Sequence, residues 1–464
     1  MALYVIELCD AGVRLGGQDG HIAESPGYAL VQGDRVLLGV QARNESRLHP
    51  RHAHTHFWSR LSTEALPQPG PRARTVADLA YAHLLDLWSQ AIAAGDEGDS
   101  EVVFAVPGQY DRNQLALLLG IARECPFRAV GLVDLGVAAV AADGSPAGNV
   151  VYASGHLHRT VITRMTAAGE LIRERVDDTA ATALLGLQDT MVGLIADAFI
   201  RETRFDPLHE AGTEQRLYDS LPGWLEKLER AGEAILELDT GRSSYRVSLH
   251  QDRLVERLHP RYEQLAERLR ALAGMGSEVR LDARLAALPG LVPTLQQLLD
   301  GQTVRVVAND AVRLAVFAHL HHVRRDGERL AFVTRLPNRT PTPTEAVTPE
   351  PAAASQAREP AAEPKVTPNR PTHLLLGHEA WPLAATPMRI GGPPGTDVLP
   401  LTDAAEPVCT IRVQQDGVRL DPELDAVVVR DGVPVQQAVH LAPGEEVLIG
   451  EGIRLMAIVV RDSA

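Results

Sequence analysis

Residues 337–372 read PNRTPTPTEAVTPEPAAASQAREPAAEPKVTPNRPT. This run of Pro, Ala, Thr and Glu has almost no large apolar side chain. Such a stretch cannot bury enough surface to offset its ordering entropy, so an extended, disordered linker is expected. It splits the chain of 464 residues into a large N-terminal part and a C-terminal part. The expected domains are residues 1–333 and 373–464, with the linker taken as 334–372. The length alone asks for two or three cores.

Charge and cysteine usage narrow the function classes. The formal net charge of -15 argues against a nucleic-acid or anionic-membrane surface, because both need clustered cations. No run approaches the roughly 20 uncharged apolar residues of a membrane span, so no membrane insertion is expected. The start of the chain has neither a cationic flank nor a long apolar core, so no signal peptide is expected. Cys9, Cys125 and Cys409 form neither a metal spacing nor a disulfide framework. They point to a reducing compartment and a cytoplasmic protein. Cys9 and Cys125 read as small buried hydrophobes.

The large part reads as mixed α/β. EVVFAV, residues 101–106, is a nearly unbroken apolar run suited to a strand buried on both faces. Asp111 then stands three residues before Gln114, a capping-box spacing. Leu115, Leu118, Leu119 and Ala122 follow on one helical face. FRAVGLVDLGVAAVAA adds a second strand and a small-residue helix, completing the strand–helix–strand unit of a parallel sheet. VIELCDAGVRL, residues 5–15, runs from an apolar strand through a polar break into a second apolar run. NVVYASGHLHRTVITRM, residues 149–165, has the same outline. Two similar halves are therefore expected, each opening on a hairpin. Residues 188–238 and 251–274 carry helical periodicity. In the first of these, Leu225, Leu228, Ala231, Ile235 and Leu238 fall on one side. SSYRVSLHQDRL, lying between, alternates as a strand.

Taken in order, these pieces resemble the nucleotide-binding domain of the 70 kDa heat-shock chaperones, within the actin-like ATPase superfamily. VVFAVPGQYDRNQLALLLGIAREC is similar to that family's strand, turn and helix. LLGVQARNESRLHPRHAHTHFWSRL and LGLQDTMVGLIADAFIRETRFD are similar to two further stretches. LAALPGLVPTLQQLL, then ANDAVRLAVFAHL, looks like its adenosine loop and closing helix. The resemblance spans about residues 1–333 and implies a two-lobed fold that holds ATP and Mg²⁺ between two phosphate hairpins.

Carried over residue by residue, the pattern is degenerate. Glu7 stands at the carboxylate of the first hairpin, but Cys9, Asp10 and Ala11 replace Gly-Thr-Thr. Glycine there allows close backbone approach to phosphate, whereas Asp10 brings a negative charge toward an anion. In the second hairpin Ala153 replaces the carboxylate, Gly155 survives, and His156, Leu157 and His158 fill the rest. Arg60 falls at the catalytic lysine and Asp134 at a glutamate. Gly290 and Pro293 remain in the adenosine loop, where Leu288 replaces a glycine. Glu7, Arg60 and Asp134 are thus vestigial catalytic candidates, and Gly155 and Gly290 vestigial nucleotide contacts. As plain residues, Glu7 and Asp134 also read as strand-end carboxylates facing solvent, and Arg60 as a solvated helix residue. His52, His54 and His56 read as a polar loop in preference to a metal site, since no carboxylate or cysteine lies nearby in sequence.

The C-terminal part shows short alternating runs separated by Gly, Asp and Pro turns, the spacing of a small β-sandwich. RIGG, RDGVPV and LAPGEEVLIG resemble the forkhead-associated domain. Gly392 replaces that family's phosphate-binding arginine, removing a charge-assisted bidentate partner. The expected fold is therefore α/β: a two-lobed actin-like ATPase fold, a disordered Pro/Ala/Thr linker and a small C-terminal β-sandwich. The expected function is a non-catalytic scaffold or regulator that engages protein partners, with no cofactor required. The alternative is a chaperone-like protein with weak ATP binding and hydrolysis. Limited proteolysis should cut first within 337–372 and leave two stable fragments; a resistant segment with cleavage elsewhere would refute the division.

Overall fold

Both hairpins form, and each opens a sheet. The computed structural model describes residues 2–338 except 94–99, 143–145, 147, 242, 275 and 326–329, together with the strands and some neighbouring residues within 371–458. The expected linker, from 339 to 370, lies outside the described residues. The chain divides into two units, Met1–Val347 and Thr348–Ala464.

In the first unit, Leu3–Glu7 pairs antiparallel with Val13–Gly16, which pairs with His21–Ser25. On its other side Leu3–Glu7 pairs in parallel with Glu101–Val106, and that strand with Arg128–Asp134. The second sheet repeats this order. Gly148–Gly155 pairs antiparallel with Thr160–Ala168, which pairs with Glu170–Thr179. Gly148–Gly155 also pairs in parallel with Glu278–Leu281, and that strand with Thr303–Val306. Sequence and burial explain the parallel members. All six residues of Glu101–Val106 are buried, the five apolar ones as a central strand requires and Glu101 in ion pairs with Arg128 and Arg324. The helix Arg112–Arg123 that follows carries the expected capping box: Gln114 N–H donates to Asp111 (2.8 Å) and Asp111 N–H to the Gln114 side chain (3.2 Å).

The periodicity over 188–238 resolves differently. It comprises the helices Leu184–Thr203 and Ala211–Ala231, then the strand Glu233–Asp239, paired with Ser244–His250. Gly232 causes the second break. Its φ of 73° is left-handed, and its N–H closes the helix on Leu228 O at 2.8 Å. Beyond it the sequence alternates: Leu236 and Leu238 are buried while Ile235 is 65% exposed. Ile235 therefore does not share a helical face with Leu225 and Leu228.

The first unit also runs past residue 333. Phe332–Val333 adds a parallel strand beside Leu132–Val133 in the first sheet. Arg335–Pro337 then pairs with Glu170–Ile172 in the second sheet, with Leu336 fully buried. Within six residues the chain is sewn into both sheets.

Among the described residues, the second unit contains two sheets, one of six strands and one of five. Leu374, Val447 and Leu455 from the first, and Ile390, Ile411 and Leu420 from the second, share one core. Among the described residues no helix is long and apolar enough to cross a membrane.

Asp111→Ala should lower the stability of the first unit by about 1 kcal/mol, while Asp111→Ser should retain most of it. Urea unfolding followed by circular dichroism measures both, and equal stability of all three proteins would show that the cap contributes nothing.

Candidate functional site

The two hairpin turns meet. After Glu7 the chain turns through Leu8, Cys9 and Asp10, and Gly27 N–H fixes this turn by donating to Asp10 O at 2.7 Å. After Gly155 the chain turns through His156, Leu157 and His158. Leu157 N–H donates to Asp10 Oδ1 at 2.9 Å, and His156 Nδ1 lies 3.1 Å from the same oxygen. The Cys9 thiol donates to Gly155 O at 3.3 Å. The Leu157 side chain enters an apolar cluster with Tyr28, Leu30 and Ala42 of the first half. Burying a leucine this way contributes about 1.5–3 kcal/mol. Leu184 and Leu185, at the start of their helix, donate to His156 O and Leu157 O, both at 3.0 Å. The second turn is thus gripped from both halves.

Electrostatics at this junction are coupled. Burial disfavours charge on His156, but Cys9 and the hydrogen bond to Asp10 outweigh it and push the pKa up to about 10. Burial raises the Asp10 carboxyl, yet the His156 contact holds it below the ordinary carboxylate value. For Cys9, burial again raises and His156 lowers, leaving the thiol more acidic than usual. Cys9 is therefore not only a small hydrophobe. Cys125 is the contrast: burial, reinforced by Glu124, pushes its thiol up to about 12.

The expected site residues divide. Neither Glu7 nor Asp134 faces solvent. Glu7 is buried 3.9 Å from Arg14 and borders a cavity of about 30 Å³ with Cys9, Tyr152, Asp282 and Arg284. Its Oε1 has no hydrogen-bond partner in the protein. Burial pushes its pKa up to about 7, against the pull of Arg14 and Arg284. Asp134 is wholly buried, pairs with Arg173 at 2.7 Å and accepts from Val137 N–H at 3.0 Å. It anchors the start of the helix Leu135–Ala142. Arg60 is exposed and lies in a turn outside any helix, correcting the helical placement. Gly155 donates to Asp282 Oδ2 at 3.1 Å, and a side chain there would press on Leu285 at 3.1 Å. Gly290, at φ 68°, caps the helix Leu291–Leu298 and lines a separate cavity of about 280 Å³ with Leu225, Leu228 and Pro293. Glu7 and Gly155 therefore meet at the junction, Asp134 is committed to Arg173, and Arg60 and Gly290 lie elsewhere.

His52, His54 and His56 do not converge on one point. His54 sits in the short strand Ala53–His54 against Ala29–Leu30, whereas His56 stacks on His158 with ring centroids 3.4 Å apart. A second crossing between the halves was not expected from sequence. Arg47 N–H donates to the Gln215 side chain (2.9 Å), which donates back to Arg43 O (3.2 Å). The Arg47 guanidinium binds Asp189 at 2.8 Å and lies 3.8 Å over the Tyr218 ring.

The groups present at the junction do not fit a phosphate chain. The cavities beside it measure about 30 and 10 Å³, room for one or two waters. Asp10 and Glu7 present carboxyl groups there, and the Leu157 N–H is taken by Asp10. No protein-family model matches the chain, and no curated protein matches it either.

The Glu7 shift makes a pH prediction. A carboxyl raised from 4.5 to about 7 on folding adds stability that is complete below the unfolded pKa and is lost as pH rises through 7. Glu7→Gln should therefore gain on the unsubstituted protein by about 1–3 kcal/mol between pH 5 and pH 8. Urea unfolding at both pH values tests this; a difference that is the same at both would show that Glu7 ionises normally.

Proposed function

We propose that this chain is a non-catalytic scaffold or regulatory protein built on a degenerate heat-shock 70 kDa-type domain of the two-lobed actin-like ATPase class. The repeated sheet order, each sheet opening on a hairpin, supports the fold assignment. One observation carries the functional reading: Leu157, Asp10 and His156 join the two hairpin turns, which on this reading correspond to the family's phosphate hairpins. Protein contacts now do there what a ligand would do in the family, joining the halves. Replacing two or three charge-assisted contacts at about 1.5–3 kcal/mol each weakens phosphate binding by several orders of magnitude.

With nucleotide out of the cycle, the retained surfaces serve protein partners. The C-terminal sheets, read as a degenerate forkhead-associated-type sandwich, suit this use. A tethered second module raises the effective concentration of its own contact once the first is made. Because Gly392 stands at the phosphate-binding arginine, the partner need not be phosphorylated.

The alternative, a chaperone-like ATP binder, draws support from the cavity of about 280 Å³ beside Gly290, which is large enough for part of a small molecule. Calorimetric titration of the full chain with ATP and Mg²⁺ separates the two. No saturable heat is expected at millimolar nucleotide; micromolar affinity or Mg²⁺-dependent turnover would overturn the scaffold reading. Partner capture from the native host should be stronger with the full chain than with residues 1–338, and equal recovery would remove the sandwich from the proposal.

A further inference from the structure

Cys9, Asp10 and His156 form more than a latch. Each offers one ligand atom, and these atoms all lie within 4.8 Å of one another, with all three residues buried. Asp10 Oδ1 and His156 Nδ1 are already 3.1 Å apart. Zinc bonds of about 2.0–2.3 Å set neighbouring ligand atoms roughly 3.2–3.8 Å apart, so shifts of up to roughly 1 Å would bring the three atoms around one ion. The geometry points to a single transition-metal site at this junction, with Zn²⁺ the best match, bound by the Cys9 thiolate, the Asp10 carboxylate and the His156 imidazole.

Three independent features favour it. Asp10 Oδ2 is buried and has no hydrogen-bond partner, so the carboxylate holds an unused acceptor. Small cavities border the ligands on two sides, one of about 30 Å³ beside Cys9 and one of about 10 Å³ beside Asp10 and His156, and either has room for a water as a further ligand. The other ring nitrogen of His156, Nε2, lies 3.2 Å from Ser154 Oγ, which fixes the ring as an outer partner does for metal-bound histidine. The mixed sulfur, nitrogen and oxygen set selects a borderline transition metal, while Mg²⁺ and Ca²⁺ favour all-oxygen sites. On binding, the Cys9 thiol proton and the His156 Nδ1 proton leave to solvent, and the ion takes their place between the turns.

This inference goes beyond the proposed function, since it concerns an ion held by protein side chains alone. The test uses the full chain, dialysed against ZnCl₂ and then against metal-free buffer, with metal counted by mass spectrometry. About one equivalent of zinc should remain, and loading with Co²⁺ should give a near-ultraviolet thiolate-to-cobalt absorption band. Cys9→Ser and His156→Ala should each weaken binding by at least about tenfold, and His54→Ala should not. Asp10→Asn keeps an oxygen for the Leu157 N–H, so it should fold and still bind zinc less tightly. If the other variants unfold, Asp10→Asn and the cobalt band of the unsubstituted protein decide. Overturning results are no retained zinc, no thiolate band, or zinc binding unchanged in folded variants. A chain that binds neither zinc nor ATP loses only this site; one that binds ATP loses the proposed function.

Discussion

The insertion of one turn into the opposite half is the contact on which the first unit depends. Leu157 supplies the apolar burial, and its N–H and the His156 ring meet Asp10 Oδ1 at 2.9 and 3.1 Å. A buried carboxylate without such partners would be costly. Asp10 is tolerated because the other turn satisfies it, and the other turn is positioned because Asp10 is there. Each residue alone would be a burial cost, whereas the pair is an internal dock.

This dock bears on how the two halves are held. Enzymes that close around a ligand need the open and closed arrangements within a few kcal/mol of each other. Here the halves are joined at the turns and again through Arg47, Gln215 and Asp189. Further crossings run from Arg14 to Asn309 and from Arg284 to Gly12, so side chains of the chain itself join the halves at several places. On the scaffold reading proposed above, halves joined in this way would serve as a platform for surface recognition.

The sequence carried the parts governed by local rules. The nearly unbroken apolar run of 101–106 and the Asp111–Gln114 spacing each dictate one outcome, and both form. The reading of 188–238 as helical failed at Gly232, because helical and alternating patterns overlap over a few residues and only the left-handed backbone at that glycine separates them. The candidate site was legible by half. Glu7 and Gly155 could be placed because they sit at strand ends. The partnership of Asp10 with His156 could not, since the residues are 146 positions apart and no local pattern couples them. A carboxylate in one turn and a histidine in the matching turn was the available signal. The Arg47–Gln215 crossing had no signal at all, as neither residue type is rare on a solvated surface.

The doubly sewn segment, Phe332–Val333 in one sheet and Arg335–Pro337 in the other, has a kinetic meaning. Neither sheet has its last strand until about residue 337 has been made. A nascent chain that has emerged only through the second hairpin exposes the unpaired edge at Arg128–Asp134, a template for wrong pairing. Contacts of such sequence separation form late and slowly. The first unit is therefore expected to commit to its native state in one closing step near the end of its synthesis, when the last few residues bind two sheets at once. Ribosome-bound chains shorter than this are where the protein is most exposed to aggregation and most dependent on other factors to hold it.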